Sequence, residues 1–321
     1  MNSIVFSAPK GCQISPISCC TCDGLALLLS TPQNIDRIVI VKQDKVVKSW
    51  EEVNNHYLSS LILLSDGNLV SGSLDGSLKK RDLVADPPEV MWMRNLEVGI
   101  DALAELSDGR MVAGCRDGTV HVLDNTGQTS FIGKNHSDLV HTVGSLGDQI
   151  YTASFNKVCL WTFTESELQS TVIQPMICNE LVKLLPSPCG KWMAASFAFG
   201  WVVLFRICHD QWDIKWDFLI GSSRWPRSLS FSSDGRFLFV DEFVLEARTG
   251  IVLKMWNKRC SPSDRFFVSP NATAMFVVKE HEVWKWEFFA TLKKQLASLS
   301  YGRAGSTYFL FVRLRYRDGT F

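Results

Sequence analysis

The sequence has no surplus of either charge, because its 33 lysines and arginines are matched by 33 aspartates and glutamates. A balanced surface offers no general attraction for a polyanion or an anionic membrane. A nucleic-acid partner is therefore not expected, although local patches stay open. No uninterrupted apolar stretch reaches the roughly 18 residues that a membrane-crossing helix needs. The opening residues, MNSIVFSAPKGC, carry no basic region and too short an apolar run for a secretory leader. An intracellular, cytoplasmic protein is expected, with the nucleus left open. The short motifs of common enzymes are missing as well: no Walker-type loop ending in Lys-Ser or Lys-Thr, no G-x-G-x-x-G, no H-E-x-x-H and no G-x-S-x-G. That argues against catalysis and leaves open only a site assembled from distant parts of the chain.

Cysteine is plentiful, with 10 residues, but it lacks ligand spacing. Cys12, Cys19, Cys20 and Cys22 crowd together, and Cys19 with Cys22 has the Cys-x-x-Cys spacing of a zinc site. These residues fall in a predicted strand and its end, where positions an odd number apart point to opposite faces and do not share one metal. Cys115, Cys159, Cys178, Cys189, Cys208 and Cys260 are scattered. Free thiols in a reducing compartment are the expectation, with no metal and no cofactor. The glycosylation-type triplets Asn135-His136-Ser137 and Asn271-Ala272-Thr273 then read as accidental.

What the sequence does have is a repeated grammar, clearest from Leu58 to Leu83, LSSLILLSDGNLVSGSLDGSLKKRDL. An apolar run, the Asp66-Gly67 turn, a second run, the Asp75-Gly76 turn and a third run read as three short antiparallel strands. Asp-Gly pairs accept the positive backbone angles that tight hairpin turns demand. Such a meander buries its faces only against copies of itself. The copies align on Asp23-Gly24, Asp66-Gly67, Asp108-Gly109, Gly147-Asp148, Cys189-Gly190, Asp234-Gly235 and Asn271-Ala272, and their first members are separated by 43, 42, 39, 42, 45 and 37 residues. A period near 40 to 45 residues with four strands per unit is the propeller signature. The expected fold is all-β: a seven-bladed β-propeller of four-stranded antiparallel blades over residues 1–288, with a C-terminal extension over 289–321.

Ile4 to Ala8 is a short strand ahead of the first unit, and outer strands are expected at Lys45 to Glu51, Glu89 to Leu96 and Gln211 to Leu219. In the fourth unit, HTVGSLGDQIYTASFNKVCLWTF, apolar positions alternate in part, as a half-buried sheet requires. In the last segment the run STYFLFVRLR, from Ser306 to Arg315, is strongly β-prone and flanked by Arg303 and Arg317. It should pack on the ring, pair with a partner or form a tail, with its basic residues acting as solubilising gatekeepers.

Isolated polar residues are weak site candidates. His136 and His141 are five apart, which in an extended chain sets them on opposite faces. Asp241-Glu242 reads as a solvated hairpin turn. Trp50, Trp161, Trp216 and Trp256 fall in predicted strands and should be core.

The order Asn135-His136, apolar strand, turn, Ser-rich strand, polar turn and Leu160-Trp161 resembles a WD40 repeat, with Thr162 in place of the signature Asp. Arg81 stands at the Trp position of the second unit and Leu123 at that of the third. The resemblance spans about residues 3 to 288, and each single repeat is degenerate. It implies that the N-terminal strand completes the last blade. It also implies that His136, Ser154, Asn156 and Trp161 form a buried hydrogen-bonded set. Finally, it implies that the loops entering each repeat and the turns between second and third strands gather on one face around the channel. Residues there are free of the strand ladder and available for recognition. The candidates are His56, Leu74, Arg116, Phe155, Phe199, Arg224 and Trp225, since aromatic and arginine side chains supply most interface energy. The leading expectation is a non-catalytic interaction scaffold or adaptor with protein or peptide partners, monomeric alone or a subunit of a complex. The alternatives are an enzyme or small-ligand binder using the central channel, and a phosphopeptide or lipid-headgroup reader.

Overall fold

The computed structural model describes residues 2–287 apart from 11, 21–23, 31–35, 44, 53–56, 147–148, 165–166, 174–179, 209–210, 221–225, 227, 233, 242, 256–264, 269–273 and 280. Strand β1 (Asn2–Ser7) precedes a first sheet of β2 (Gln13–Cys20), β3 (Gly24–Ser30), β4 (Asp36–Lys42) and β5 (Lys45–Glu52). The second holds β6 (Leu58–Leu63), β7 (Leu69–Ser73), β8 (Ser77–Asp82) and β9 (Glu89–Asn95). The third holds β10 (Ile100–Glu105), β11 (Met111–Cys115), β12 (Thr119–Leu123) and β13 (Thr129–Lys134). The fourth holds β14 (Thr142–Leu146), β15 (Gln149–Ala153), β16 (Val158–Phe163) and β17 (Leu168–Ile173). The fifth holds β18 (Leu181–Pro186), β19 (Trp192–Phe197), β20 (Trp201–Cys208) and β21 (Gln211–Leu219). The sixth holds β22 (Leu229–Phe231), β23 (Phe237–Val240), β24 (Phe243–Glu246) and β25 (Val252–Met255), and the chain goes on to β26 (Arg265–Val268), β27 (Ala274–Val278) and β28 (Glu282–Glu287).

Turn chemistry explains the meanders. Gly67, Gly76 and Gly109 take φ of 85°, 84° and 83°, the left-handed conformation that their Asp-Gly turns demand. Within six sheets the strands pair in chain order, antiparallel. The seventh runs β26-β27-β28-β1, with Ile4 opposite Trp284, so the N-terminal strand completes the last blade. The innermost strands touch in sequence, β2 on β6, β6 on β10, β10 on β14, β14 on β18, β18 on β22 and β22 on β26, and β26 returns to β2. The ring is closed.

The core is divided among the seams between blades. Successive residues of one strand face opposite neighbours: Cys159 and Trp161 join the cluster shared with blade three, while Val158 and Leu160 join the one shared with blade five. The expected half-buried sheet therefore needs correction. Strands β7, β11 and β12 are buried throughout, because each sheet has a neighbour on both faces, and exposure is concentrated in outer strands such as β9 and β17. Trp50, Trp161 and Trp216 are core, while Trp256 lies outside the described residues.

Asp241 also departs from its expected place. It is buried in the turn between β23 and β24, where its carboxylate accepts bonds from the backbone N–H and the hydroxyl of Ser228, both at 2.9 Å. It ties that turn to the segment entering the blade.

Cys115 and Cys159 are buried free thiols, Cys12 is half-buried and Cys189 is exposed. Cys19 and Cys20 occupy adjacent positions of β2, opposite Ala26 and Leu25, and Cys22 lies outside the described residues. Among the described residues no helix is long and apolar enough to cross a membrane. The extension over 289–321, with the run from Ser306 to Arg315, lies outside the described residues.

Candidate interaction face

The segments that enter each blade and the turns between second and third strands lie at the same end of the ring. A recurrent backbone bond ties them together. Leu74 N–H donates to Tyr57 O, Arg116 N–H to Gly99 O, His141 N–H to Ala153 O, Ala198 N–H to Glu180 O and Asp241 N–H to Ser228 O. Residues beside these bonds therefore sit on backbone that is already paired.

Leu74 and Arg116 are brought together. Gly99 sits between them, so close that a Cβ there would meet Leu74 O at 2.8 Å and Arg116 Cδ at 3.2 Å. The Arg116 stem therefore lies across glycine backbone, and its Nε donates to Asp101 Oδ2 at 3.2 Å. Burial raises the Asp101 carboxyl, and Arg116 pulls the other way without cancelling it. The Arg116 side chain nonetheless remains 53% exposed.

Phe155 is half-buried and packs against His141 in a tilted arrangement with ring centroids 5.1 Å apart, while its carbonyl accepts Leu181 N–H from the next blade. Phe199 stands in a short 3-10 turn with φ 63° and is 56% exposed. A non-glycine residue in the left-handed region costs roughly 1–3 kcal/mol, which the flanking bonds Ala198 N–H to Glu180 O and Ile220 N–H to Gly200 O sustain. His56, Arg224 and Trp225 lie outside the described residues. Tyr57, 56% exposed and bonded through its carbonyl to Leu74 N–H, belongs to the same surface. Its signal was an aromatic residue directly after His56 in an entering segment.

Beneath the face, blade four carries a buried hydrogen-bonded set. His136 Nδ1 lies 3.0 Å from Ser154 Oγ, His136 Nε2 lies 2.7 Å from Thr152 Oγ1, and Trp161 Nε1 donates to Thr152 Oγ1 at 2.7 Å. One arrangement satisfies all of it. Thr152 accepts from the indole and donates to Nε2, and the Nδ1–H tautomer of His136 donates to Ser154. Burial, then the nearby Lys157 and His141, hold the His136 imidazole down to about 4, so it stays neutral. Asn156 is exposed in the turn and takes no part, and Thr152 is the link that the sequence pattern missed. His136 and His141 sit on an irregular segment rather than an extended one, with His141 Nδ1 near Thr142 Oγ1 at 3.0 Å.

In blade two the signature position holds Arg81. Its Nε and Nη2 donate to Glu52 of the preceding blade, both at 2.8 Å, and Lys79 Nζ donates to the same carboxylate at 3.0 Å. Burial alone would raise the Glu52 carboxyl, but Arg81 and then Lys79 outweigh it and hold it below its ordinary value.

Among the described residues no group of three or more His, Cys, Asp and Glu side chains stands ready to hold a metal ion. The fold defines the class of the protein: a seven-bladed β-propeller of four-stranded antiparallel blades. Comparison of the chain with protein-family models and with curated proteins finds no match in either.

Proposed function

We propose that this propeller is a non-catalytic interaction scaffold or adaptor of the cytoplasm, a degenerate relative of WD40 proteins, which binds protein or peptide partners on the loop face. The observation that carries the reading is the row Tyr57, Leu74, Arg116 and Phe199, set around one end of the ring on backbone that is already bonded. Ordering those side chains costs little on binding, because their backbone does not have to be fixed again. Two of them, Tyr57 and Phe199, are exposed aromatic residues, the kind that anchors an interface. The WD40 part of the reading is supported by the Trp161–Thr152–His136–Ser154 chain.

Affinity capture from the native cell tests the proposal, using wild-type protein and the variants Arg116→Ala and Phe199→Gly. Glycine keeps the left-handed backbone and removes only the ring. Loss of specific partners in both variants, with unchanged thermal unfolding, supports the reading. Partners indifferent to both changes, or turnover of a metabolite by the purified chain, would overturn it.

A further inference from the structure

The opposite end of the ring carries the first turn of each blade, and two neighbouring seams there differ in an informative way. In blade two the turn Leu64-Ser65-Asp66-Gly67-Asn68 is closed by Leu64 N–H to Asn68 O, and in blade three Leu106-Ser107-Asp108-Gly109-Arg110 is closed by Leu106 N–H to Arg110 O, both at 2.8 Å. Asp66 is neutralised by Lys80 Nζ at 2.6 Å, and Asp108 by Arg110 Nη2 at 2.7 Å. The backbone closure is the same in both turns, while the cation comes from β8 in blade two and from the turn itself in blade three.

They differ in what the next blade brings to them. Glu105 of blade three reaches back to blade two and accepts both the N–H and the hydroxyl of Ser65, each at 2.7 Å. Strand register identifies the counterpart of Glu105 in blade four. Met111 faces Leu123 and Ile150 faces Trp161, so Glu105 opposite Met111 corresponds to Ser145 opposite Ile150. A serine is too short to reach Ser107. The blade-four hairpin is also one residue shorter, with four residues between Ser145 and Ile150 against five between Glu105 and Met111.

Between blades three and four there is a cleft of about 190 Å³, whose lining includes Ser107, Asp108, Arg110, Ser145, Gln149 and Phe163. Its volume suits one amino-acid side chain. Arg110 spans the seam, its guanidinium 3.9 Å from the centroid of the Phe163 ring. No described residue satisfies Ser107 as Glu105 satisfies Ser65.

We propose that this cleft is a socket for a carboxylate side chain on an acidic peptide of a partner protein, which takes at Ser107 the place that Glu105 takes at Ser65. The carboxylate accepts the Ser107 N–H and hydroxyl, the Arg110 guanidinium that pairs with Asp108 lies along the same seam, and the half-buried Phe163 ring holds its methylenes. A carboxylate beside Asp108 is tolerable for the reason seen in blade two, where Glu105 sits beside an aspartate already paired with a cation. The socket lies at the other end of the ring from the loop face and stands or falls without it.

The test uses the full chain labelled with 15N-serine, with Ser107→Ala identifying the Ser107 amide resonance. The probe is the acetylated, amidated dipeptide Leu-Glu, with Leu-Gln as the uncharged match. Saturable movement of the Ser107 resonance with Leu-Glu is expected, with affinity about tenfold or more weaker for Leu-Gln. Ser145→Glu installs the missing clamp. In that variant the Ser107 resonance is expected to be displaced before any peptide is added and to ignore Leu-Glu, while the other serines stay in place. Arg110→Gln keeps the stem and weakens Leu-Glu by about fivefold. Equal response to both dipeptides overturns the proposal, as does a Ser145→Glu chain that still responds like wild type. A rise in affinity in Asp148→Ala also overturns it, because the chain's own turn would then be the occupant. Arg116→Ala leaves this titration unchanged, so the socket and the loop face can fail separately.

Discussion

In blade four the position opposite Ile150 holds Trp161, the start of a neutral hydrogen-bond chain; in blade two the position opposite Leu69 holds Arg81, the centre of a buried ion cluster. Both side chains reach the outer strand of the preceding blade. Trp161 packs on Gly133, where a Cβ would come within 2.4 Å of its ring, and Arg81 pairs with Glu52 at the end of β5. In these two blades a large third-strand side chain ties neighbouring blades together with its polar atoms paired, while blade three has a buried leucine, Leu123, at that position. Whether the tie is aromatic or ionic is free to vary, which is how a degenerate repeat keeps a regular ring.

Breaking the ionic tie has the largest expected effect. Glu52→Ala removes the buried carboxylate that Lys79 and Arg81 share and should cost about 3–5 kcal/mol in urea unfolding. Replacing the cluster together, with Glu52→Leu, Lys79→Met and Arg81→Trp, should return most of that, because well-packed apolar groups need no counterion. A single Glu52→Ala variant as stable as wild type would mean that the cluster ties nothing.

Next comes the neutral tie. Thr152→Val keeps the shape and strands both the Trp161 indole N–H and His136 Nε2, with an expected loss of about 1–3 kcal/mol by the same measurement.

Acid separates the two ties. Burial holds both His136 and His141 at about 4, below the ordinary histidine value of 6.5. The unfolded chain then binds more protons between these values, so stability is full above about pH 6.5 and falls as pH drops toward 4. For His136 alone the loss at pH 4 is on the order of 3 kcal/mol. His136→Gln should remove its share of that slope. Glu52, held below its ordinary value of 4.5 by Arg81 and Lys79, should contribute fully through the upper part of the window, begin to fade as the pH falls past 4.5 and be lost only in stronger acid. The smallest effect belongs to Arg116→Ala, within about 0.5 kcal/mol of wild type because the side chain is largely exposed.

The ring was legible because turn chemistry is local: Asp66-Gly67, Asp108-Gly109 and their copies mark every unit without knowledge of its neighbours. The surplus strand at Ile4 to Ala8 was legible, while its place in the last blade followed only from the resemblance to WD40 repeats. The buried ties were not, since their partners come from another blade. Glu52 reads as an ordinary outer-strand charge until Arg81 faces it. Thr152 is hidden because Ser154 is an equally plausible hydroxyl by spacing alone. Asp241 looked solvated because nothing nearby in sequence predicts that Ser228 closes over it. Of the expected face, Leu74, Arg116, Phe155 and Phe199 can be placed, and their proximity comes from Gly99 and the recurrent turn bonds rather than from residue type.

Face, ties and socket all presuppose a closed ring, and amide hydrogen exchange of β1 tests that closure most directly. The amides of Asn2–Ser7 that face β28 should exchange as slowly as those of β28 itself, and deleting residues 1–8 should loosen blade seven first and then the whole ring. Rapid exchange in β1 beside a protected β28, or a deletion that leaves stability unchanged, would contradict it.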